Sequence, residues 1–408
     1  MAQLDVTHEV RAQLSTARAH AALGFDRART IRALRAAATE LSRVETPLAR
    51  GLRVRLQAET ELSAPMIEWG LATTLGSLLQ SPLDELVRRL PPAPKPNEVV
   101  GVVLAGNVFS AALRGLCLPL LAGAVVVAKC KSGDAAFPRA LQQALQAADP
   151  VIGARLQLLE FSRTDGPAAR ALCDGVDALS VYGDDKTVRW FAALLPSRAR
   201  LIPHGHGISA AYVSARQLMA AEDALHAAER LALDAAAYDQ SGCLSPHFVA
   251  VETGGVFSPR EFAALLADNA LPKVGQLLPA AAPDVERRAA RLQWEGAAAV
   301  RGELYAHPEH AVSFEGELPA RVSPGGRLVA IHASKDLDAL SRLLAPFAAH
   351  LKCVGVSGPR EVRLAVEKRI ATFGTASVCQ LGEMQTPSFD AQADGRPAFA
   401  GLTAPASP

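Results

Sequence analysis

The six cysteines of the chain, Cys117, Cys130, Cys173, Cys243, Cys353 and Cys379, include no CxxC pair. Neither a disulfide framework nor a zinc knuckle is therefore indicated. A charge excess is also missing. The 42 basic and 41 acidic residues leave a net charge of +1, which speaks against a strongly basic nucleic-acid binder. No uninterrupted apolar run reaches the roughly 18 residues of a membrane span. The most apolar stretch, from Val99 to Ala128, is broken by Asn107, Ser110, Arg114, Pro119 and Gly123. The first residues lack the basic and then apolar regions of an export signal, so a cytoplasmic protein without a membrane span is expected. No GxGxxG follows the first β-prone run, so an ordinary Rossmann dinucleotide site is not supported.

What is present points to layered α/β structure. At 408 residues, half of them hydrophobic, the chain is long enough for two or three domains with cores of their own. From about Thr7 to Leu90, apolar residues recur at helical spacing, as in Leu34, Ala38, Leu41 and Val44. The four prolines between Pro91 and Pro96 end this helical preface, because proline removes a donor and biases its predecessor toward extended backbone. Beyond them, β-prone runs at Val99–Leu104, Ala124–Ala128, Leu156–Phe161, Ala178–Tyr182 and Leu201–Pro203 alternate with helical stretches. That alternation predicts a parallel sheet covered on both faces. A long helix is predicted over Ala215–Ala236, and the alternation resumes from Phe248 to Ala371. No regular elements are predicted for Pro272–Glu317 or for the tail from Thr386. The expected division is a helical segment over 1–96, a first α/β domain over 97–237, a second over 238–385, and a tail over 386–408.

Several residues stand where chemistry is expected. Cys243 follows Gly242 in a polar loop between a long helix and a strand. A thiol there becomes a nucleophile if nearby amides or a cation stabilise its thiolate, whereas a cysteine in an apolar run is a small hydrophobe. Asn107 ends the first strand, at the edge where open α/β sheets bind ligands. It suits either a helix N-cap or, with a backbone N–H, an oxyanion hole. Lys129 and Lys131 end the second strand and suit a ribose or a phosphate, or simply solvent. Gly183 opens a helix whose N-terminus suits a pyrophosphate, although Asp184 and Asp185 would repel one placed against the same amides. His204 and His206 stand two apart in a glycine-containing turn. They suit proton handling or an ordinary loop, and a third metal ligand is not identifiable.

In order and spacing these landmarks resemble the aldehyde dehydrogenase superfamily, with 22 residues from Asn107 to Lys129, 76 to Gly183 and 136 to Cys243. The likeness is closer to the LuxC-like acyl-CoA reductases, through Asp239 to Pro246, Ile202 to Ser209, Val378 to Pro387 and Asp394 to Pro397. The resemblance implies two doubly wound parallel-sheet α/β domains with a helical N-terminal segment. It implies that Cys243 accepts an acyl group from a coenzyme A thioester while Asn107 and the Cys243 amide hold the oxyanion. Lys129 would meet the adenosine ribose of NADPH or NADH, Gly183 the phosphates, and Glu317 the nicotinamide ribose. It further implies a homo-oligomer, and a partner enzyme in a reductase complex is one expectation. The glutamate that activates water in hydrolytic aldehyde dehydrogenases is replaced by the His204–Gly207 stretch, which favours reduction of a thioester to an aldehyde. The alternatives left open are aldehyde oxidation, a cofactor-free acyltransferase or thioesterase, and a non-catalytic subunit.

Overall fold

The computed structural model describes residues 6–88, 90, 98–106, 108–162, 164–374 and 376–402. The proline-rich boundary at Pro91–Pro96 and the Asn107 position lie outside the described residues.

The chain begins with five helices, α1 (Val6–Ala21), α2 (Arg27–Ser42), α3 (Pro47–Thr60), α4 (Ala64–Gln80) and α5 (Leu83–Arg88). Asp26 and Thr46 cap α2 and α3 by accepting from the amides of Arg29 and Ala49, which satisfies donors the first turn leaves without partners. The strands that follow are β1 (Val99–Val103), β2 (Val125–Cys130), β3 (Leu156–Glu160), β4 (Ala178–Tyr182) and β5 (Arg200–His204). They form one parallel sheet in the order β3-β2-β1-β4-β5. Every residue of β1 and β2 is buried, as a strand covered on both faces requires. Alternation along β1 sends Val100 and Val102 to a core shared with α2–α4, and Val99 and Val103 to a core shared with α1.

A second sheet contains β6 (Ile208–Val213), β7 (Pro246–Glu252), β8 (Glu303–Ala306), β9 (Ala311–Phe314), β10 (Leu328–Ser334), β11 (Leu351–Ser357) and β12 (Ser377–Gln380). Its order is β12-β11-β6-β7-β10-β9-β8, and within it the β8–β9 pair is antiparallel. One core runs from α2–α4 through β1 to Val249, Val251 and Ile331 of this sheet, so the two sheets are packed as one body.

Two expectations are corrected here. The sheets change at Gly205–Gly207, where three residues carry the chain from β5 to β6; β6 and the helix Ala221–Ala236 therefore belong with the second sheet, not with the 97–237 unit. In the β6 sequence Ile-Ser-Ala-Ala-Tyr-Val the small residues Ser209, Ala210 and Ala211 separate the β-formers Ile208, Tyr212 and Val213, which weakens the pattern a sequence reading detects. The stretch Pro272–Glu317 is regular as well, holding most of the helix Leu271–Leu277, the helix Val285–Arg301, β8 and β9. In Val285–Arg301 only Trp294 and Ala298 are buried, while Val285, Leu292 and Val300 are exposed, so no apolar stripe marks it. Among the described residues, no helix is long and apolar enough to cross a membrane.

Candidate active site

A cleft of about 1780 Å³ separates the carboxyl ends of β1 and β4 from the amino ends of β6, β7 and β11. It exceeds the roughly 300–1,000 Å³ of a single-ligand pocket. On the first sheet the order reverses between β1 and β4, and the crevice at such a switch point is where open α/β sheets take their ligands. Ala105 and Gly106 after β1, and Tyr182, Gly183 and Asp184 at the end of β4, all line it.

Cys243 lies on the opposite wall, and the residues before it have unusual backbone. Tyr238, Asp239 and Gln240 are three consecutive non-glycine residues in the left-handed region, with φ of 53°, 49° and 61°. Each such residue costs roughly 1–2 kcal/mol, and the conformation persists only where its surroundings over-determine it. Here they do. The Asp239 carboxylate receives Arg327 Nη2 at 2.7 Å and Nε at 2.9 Å, and its other oxygen takes the Ala281 amide at 3.0 Å. The Gln240 side chain donates to the carbonyls of Pro246 and Leu328 at 2.8 and 3.0 Å and accepts from the Leu328 amide at 2.8 Å. This wedge ends the preceding helix and sends Gly242 and Cys243 into the cleft, where Ser209 Oγ donates to the Cys243 carbonyl at 2.8 Å.

Of the six cysteines, Cys243 alone is exposed. It opens to the cleft while protein surrounds it on the other sides, so desolvation raises its thiol pKa, against the lowering effect of the Lys352 ammonium. Lys352, the second residue of β11, approaches because position 207 is glycine. A β-carbon at Gly207 would stand 2.4 Å from Lys352 Cγ and 3.0 Å from Cys243 Cβ.

The Lys352 ammonium is paired with Asp394. Asp394 and Gly395 have φ of 55° and 68°, and Ala393 and Arg396 exchange backbone hydrogen bonds around them at 2.9 and 3.0 Å. That is a tight turn of the Asp-Gly type. The segment carrying it crosses the cleft, tied by Arg114 to the Phe389 and Ala391 carbonyls, by Arg396 to Pro203, and by Arg200 to Gly401.

The second Asp394 oxygen meets His204 Nδ1 at 3.1 Å and Arg396 at 3.3 Å. Burial opposes ionisation of Asp394, but His204 and Lys352 outweigh it and hold the carboxyl well below its usual range. Burial lowers His204 despite that bond, so the ring is neutral near pH 7. Facing an ionised carboxylate, Nδ1 must carry the proton, which leaves Nε2 as the acceptor nitrogen. The ring is stacked on Tyr182, with centroids 4.1 Å apart and planes within 7°.

The expected residues separate into two groups. Cys243, His204, His206, Gly183 and Asp184 line the cleft. His206 is exposed and lies 6.0 Å from the His350 ring, while Asp184 accepts from the Thr187 amide at 2.7 Å as the helix N-cap. Lys129, Lys131 and Glu317 do not line it. Lys129 is buried with its ammonium 5.5 Å from the Phe161 ring centroid, and Lys131 is exposed. The Glu317 side chain is 66% exposed and paired with Lys335 at 3.1 Å. Within the β9–β10 connection, residues 315–327, it is Val322–Gly325 that face the cleft. Sequence reasoning assigned no site role to Lys352 or Arg327, for which it offered no signal, or to Asp394, whose Asp-Gly dipeptide is a turn signal.

Two sheets and a three-residue crossing between them, with a thiol facing their common cleft, make up an aldehyde-dehydrogenase-like fold. Solved structures bear out that fold. The oxidoreductase from Marinobacter aquaeolei matches with TM-score 0.74 and 15% identity over 96% of this chain and 86% of that one. A putative aldehyde dehydrogenase from Burkholderia cenocepacia matches with TM-score 0.73 and 15% identity over 92% and 84%. Glyceraldehyde-3-phosphate dehydrogenase GapN from Methanocaldococcus jannaschii DSM 2661, complexed with NADP, matches with TM-score 0.68 and 12% identity over 92% and 86%. A comparison with curated proteins finds no match. The chain belongs to the acyl-CoA reductase (LuxC) family, whose model matches residues 92–404.

Proposed function

We propose that the protein reduces an acyl-coenzyme A thioester to an aldehyde through an S-acyl intermediate on Cys243, with NADPH or NADH as reductant. The observation that carries this reading is the exposure of one thiol, Cys243, into a cleft bounded by both sheets. The residues at the β1–β4 switch point suit a dinucleotide, since Ala105, Gly106 and Gly183 line the cleft with small side chains, and the two glycines let Lys131 and Thr187 pack closely against the backbone. A β-carbon at Gly106 would stand 2.3 Å from Lys131 Cδ, and one at Gly183 would stand 3.0 Å from Thr187. Gly183 and the Leu104–Gly106 turn would hold the dinucleotide, with Lys129 one strand further out.

The Cys243 thiolate attacks the thioester carbonyl carbon, and the coenzyme A thiolate leaves with the electron pair of the broken C–S bond and takes a proton. Asn107 and the Cys243 amide are the expected oxyanion donors. When bound, the reduced nicotinamide supplies hydride to the acyl carbon. Collapse of the resulting thiohemiacetal anion releases aldehyde and restores the Cys243 thiolate. His204 is neutral and faces Asp394 through Nδ1, so its acceptor nitrogen is available for proton transfer.

The same acceptor nitrogen favours a second reading, in which His204 directs water onto the acyl-enzyme and the product is an acid. A matrix of acyl chain lengths against NADPH and NADH, run beside Cys243→Ala, separates the two. The reductase reading expects acyl-CoA-dependent oxidation of one nicotinamide, lost in Cys243→Ala. Coenzyme A release that ignores nicotinamide supports the hydrolytic reading, and nicotinamide oxidation that persists in Cys243→Ala overturns the assignment of the cysteine.

A further inference from the structure

The cleft holds an ion cluster whose charges do not cancel. Two cations, Lys352 and Arg396, share the single Asp394 carboxylate, while His204 beside them is neutral. The Lys352 and Asp394 side chains are each 15% exposed, so water screens the surplus positive charge less than it would at an open surface. Cys243 lies beside this cluster: its β-carbon and the Lys352 stem converge on the same point next to Gly207. The titratable groups facing this sulfur are Lys352 and Cys353 from β11 and Asp394 from the C-terminal turn. Cys353 is itself engaged with Cys379, sulfur to sulfur, at 3.4 Å. Lys352 is therefore the one cation among these groups.

We propose that Lys352 is the counter-ion of the Cys243 thiolate, a positioning residue that acts on the reaction through the cysteine. The proposal deepens the acyl-transfer reading and rests on it for its catalytic meaning. In the contrasting account, Lys352 only fastens the Asp394 turn across the cleft. A lysine that only fastens the turn leaves the reactivity of Cys243 against pH unchanged when its charge is removed in a folded variant. A counter-ion does not.

The test is the rate of alkylation of Cys243 by iodoacetamide from pH 5 to 10, in the full chain without acyl-CoA, read by mass spectrometry on the Cys243 peptide. The Cys353 and Cys379 peptides are followed in the same samples. In Lys352→Met the midpoint for Cys243 is expected to rise by about one unit, with a roughly tenfold slower rate at pH 7. Lys352→Arg, which keeps the charge, is expected to restore the wild-type profile. If Lys352→Met does not fold, Lys352→Gln keeps a polar head within reach of Asp394 and carries the same comparison. A neutral variant whose profile overlays the wild type overturns the proposal. Because alkylation needs no thioester, a shifted profile in a protein that reduces no acyl-CoA would sustain the counter-ion and refute the acyl-transfer reading alone.

Discussion

The two walls of the cleft are built on opposite principles. The first sheet reaches it through the ends of regular, largely apolar strands, and the helix that follows Gly183 carries an ordinary aspartate cap. The second sheet delivers Cys243 from three consecutive left-handed residues, held by a buried ion pair and an amide network. The first wall is cheap to form and tolerant. The second stores strain next to the thiol, and residues far away in sequence, above all Arg327, hold it in place.

The sharpest way to break this contrast is Arg327→Met. Arg327 is buried together with its partner Asp239, and removing one member of a buried pair costs about 3–5 kcal/mol because the other charge is left unpaired. The melting temperature should fall by roughly 5 °C, and the alkylation rate of Cys243 should drop with it as the wedge relaxes. A melt within about 2 °C of the wild type would show that the left-handed run needs no such anchor.

Gly207→Ala should have the next largest effect, because the new methyl collides with the Lys352 stem and touches Cys243. Overpacking of this kind costs about 1–3 kcal/mol. Lys352 should be displaced, so reductase turnover should fall more than stability does, as steady-state rates set beside melts would reveal.

Asp394→Asn tests the strap between the walls through pH. The folded carboxyl lies below its ordinary value of 3.8. Its stabilisation is therefore complete above that value and lost as the pH falls below it. Between pH 5 and 3 the wild type should lose more stability than Asp394→Asn, and parallel acid limbs in the two melting series would count against the ion cluster.

The smallest effect should come from the first wall. Asp184→Ala removes a helix cap worth about 1 kcal/mol and should leave the alkylation profile of Cys243 unchanged. A change in that profile would mean that the two walls are coupled more tightly than the contrast allows.

The same division explains what was legible in the sequence. Strands buried on both faces announce themselves as continuous apolar runs, and Val99–Val103 and Ala178–Tyr182 were read within a residue of their observed ends. Cys243 stood out because a polar turn interrupts the text around it. The region Pro272–Glu317 was opaque because its long helix buries only Trp294 and Ala298, and β8 and β9 are strands of four residues each, with β8 at the sheet edge. The outward position of Glu317 in the connection before β10 is one that no local pattern reveals. Lys352 and Arg327 were silent for a different reason. Each is an isolated charge whose partner, Asp394 or Asp239, lies 42 or 88 residues away.

Acyl transfer to one sulfur is the central step of the proposed reaction. The most direct measurement incubates the protein with an acyl-CoA in the absence of nicotinamide and determines the mass of each cysteine-containing peptide. The expected result is an acyl increment on the Cys243 peptide, absent in Cys243→Ser and discharged by NADPH or NADH with release of aldehyde. An increment on another cysteine, or none on any while nicotinamide oxidation proceeds, would contradict it.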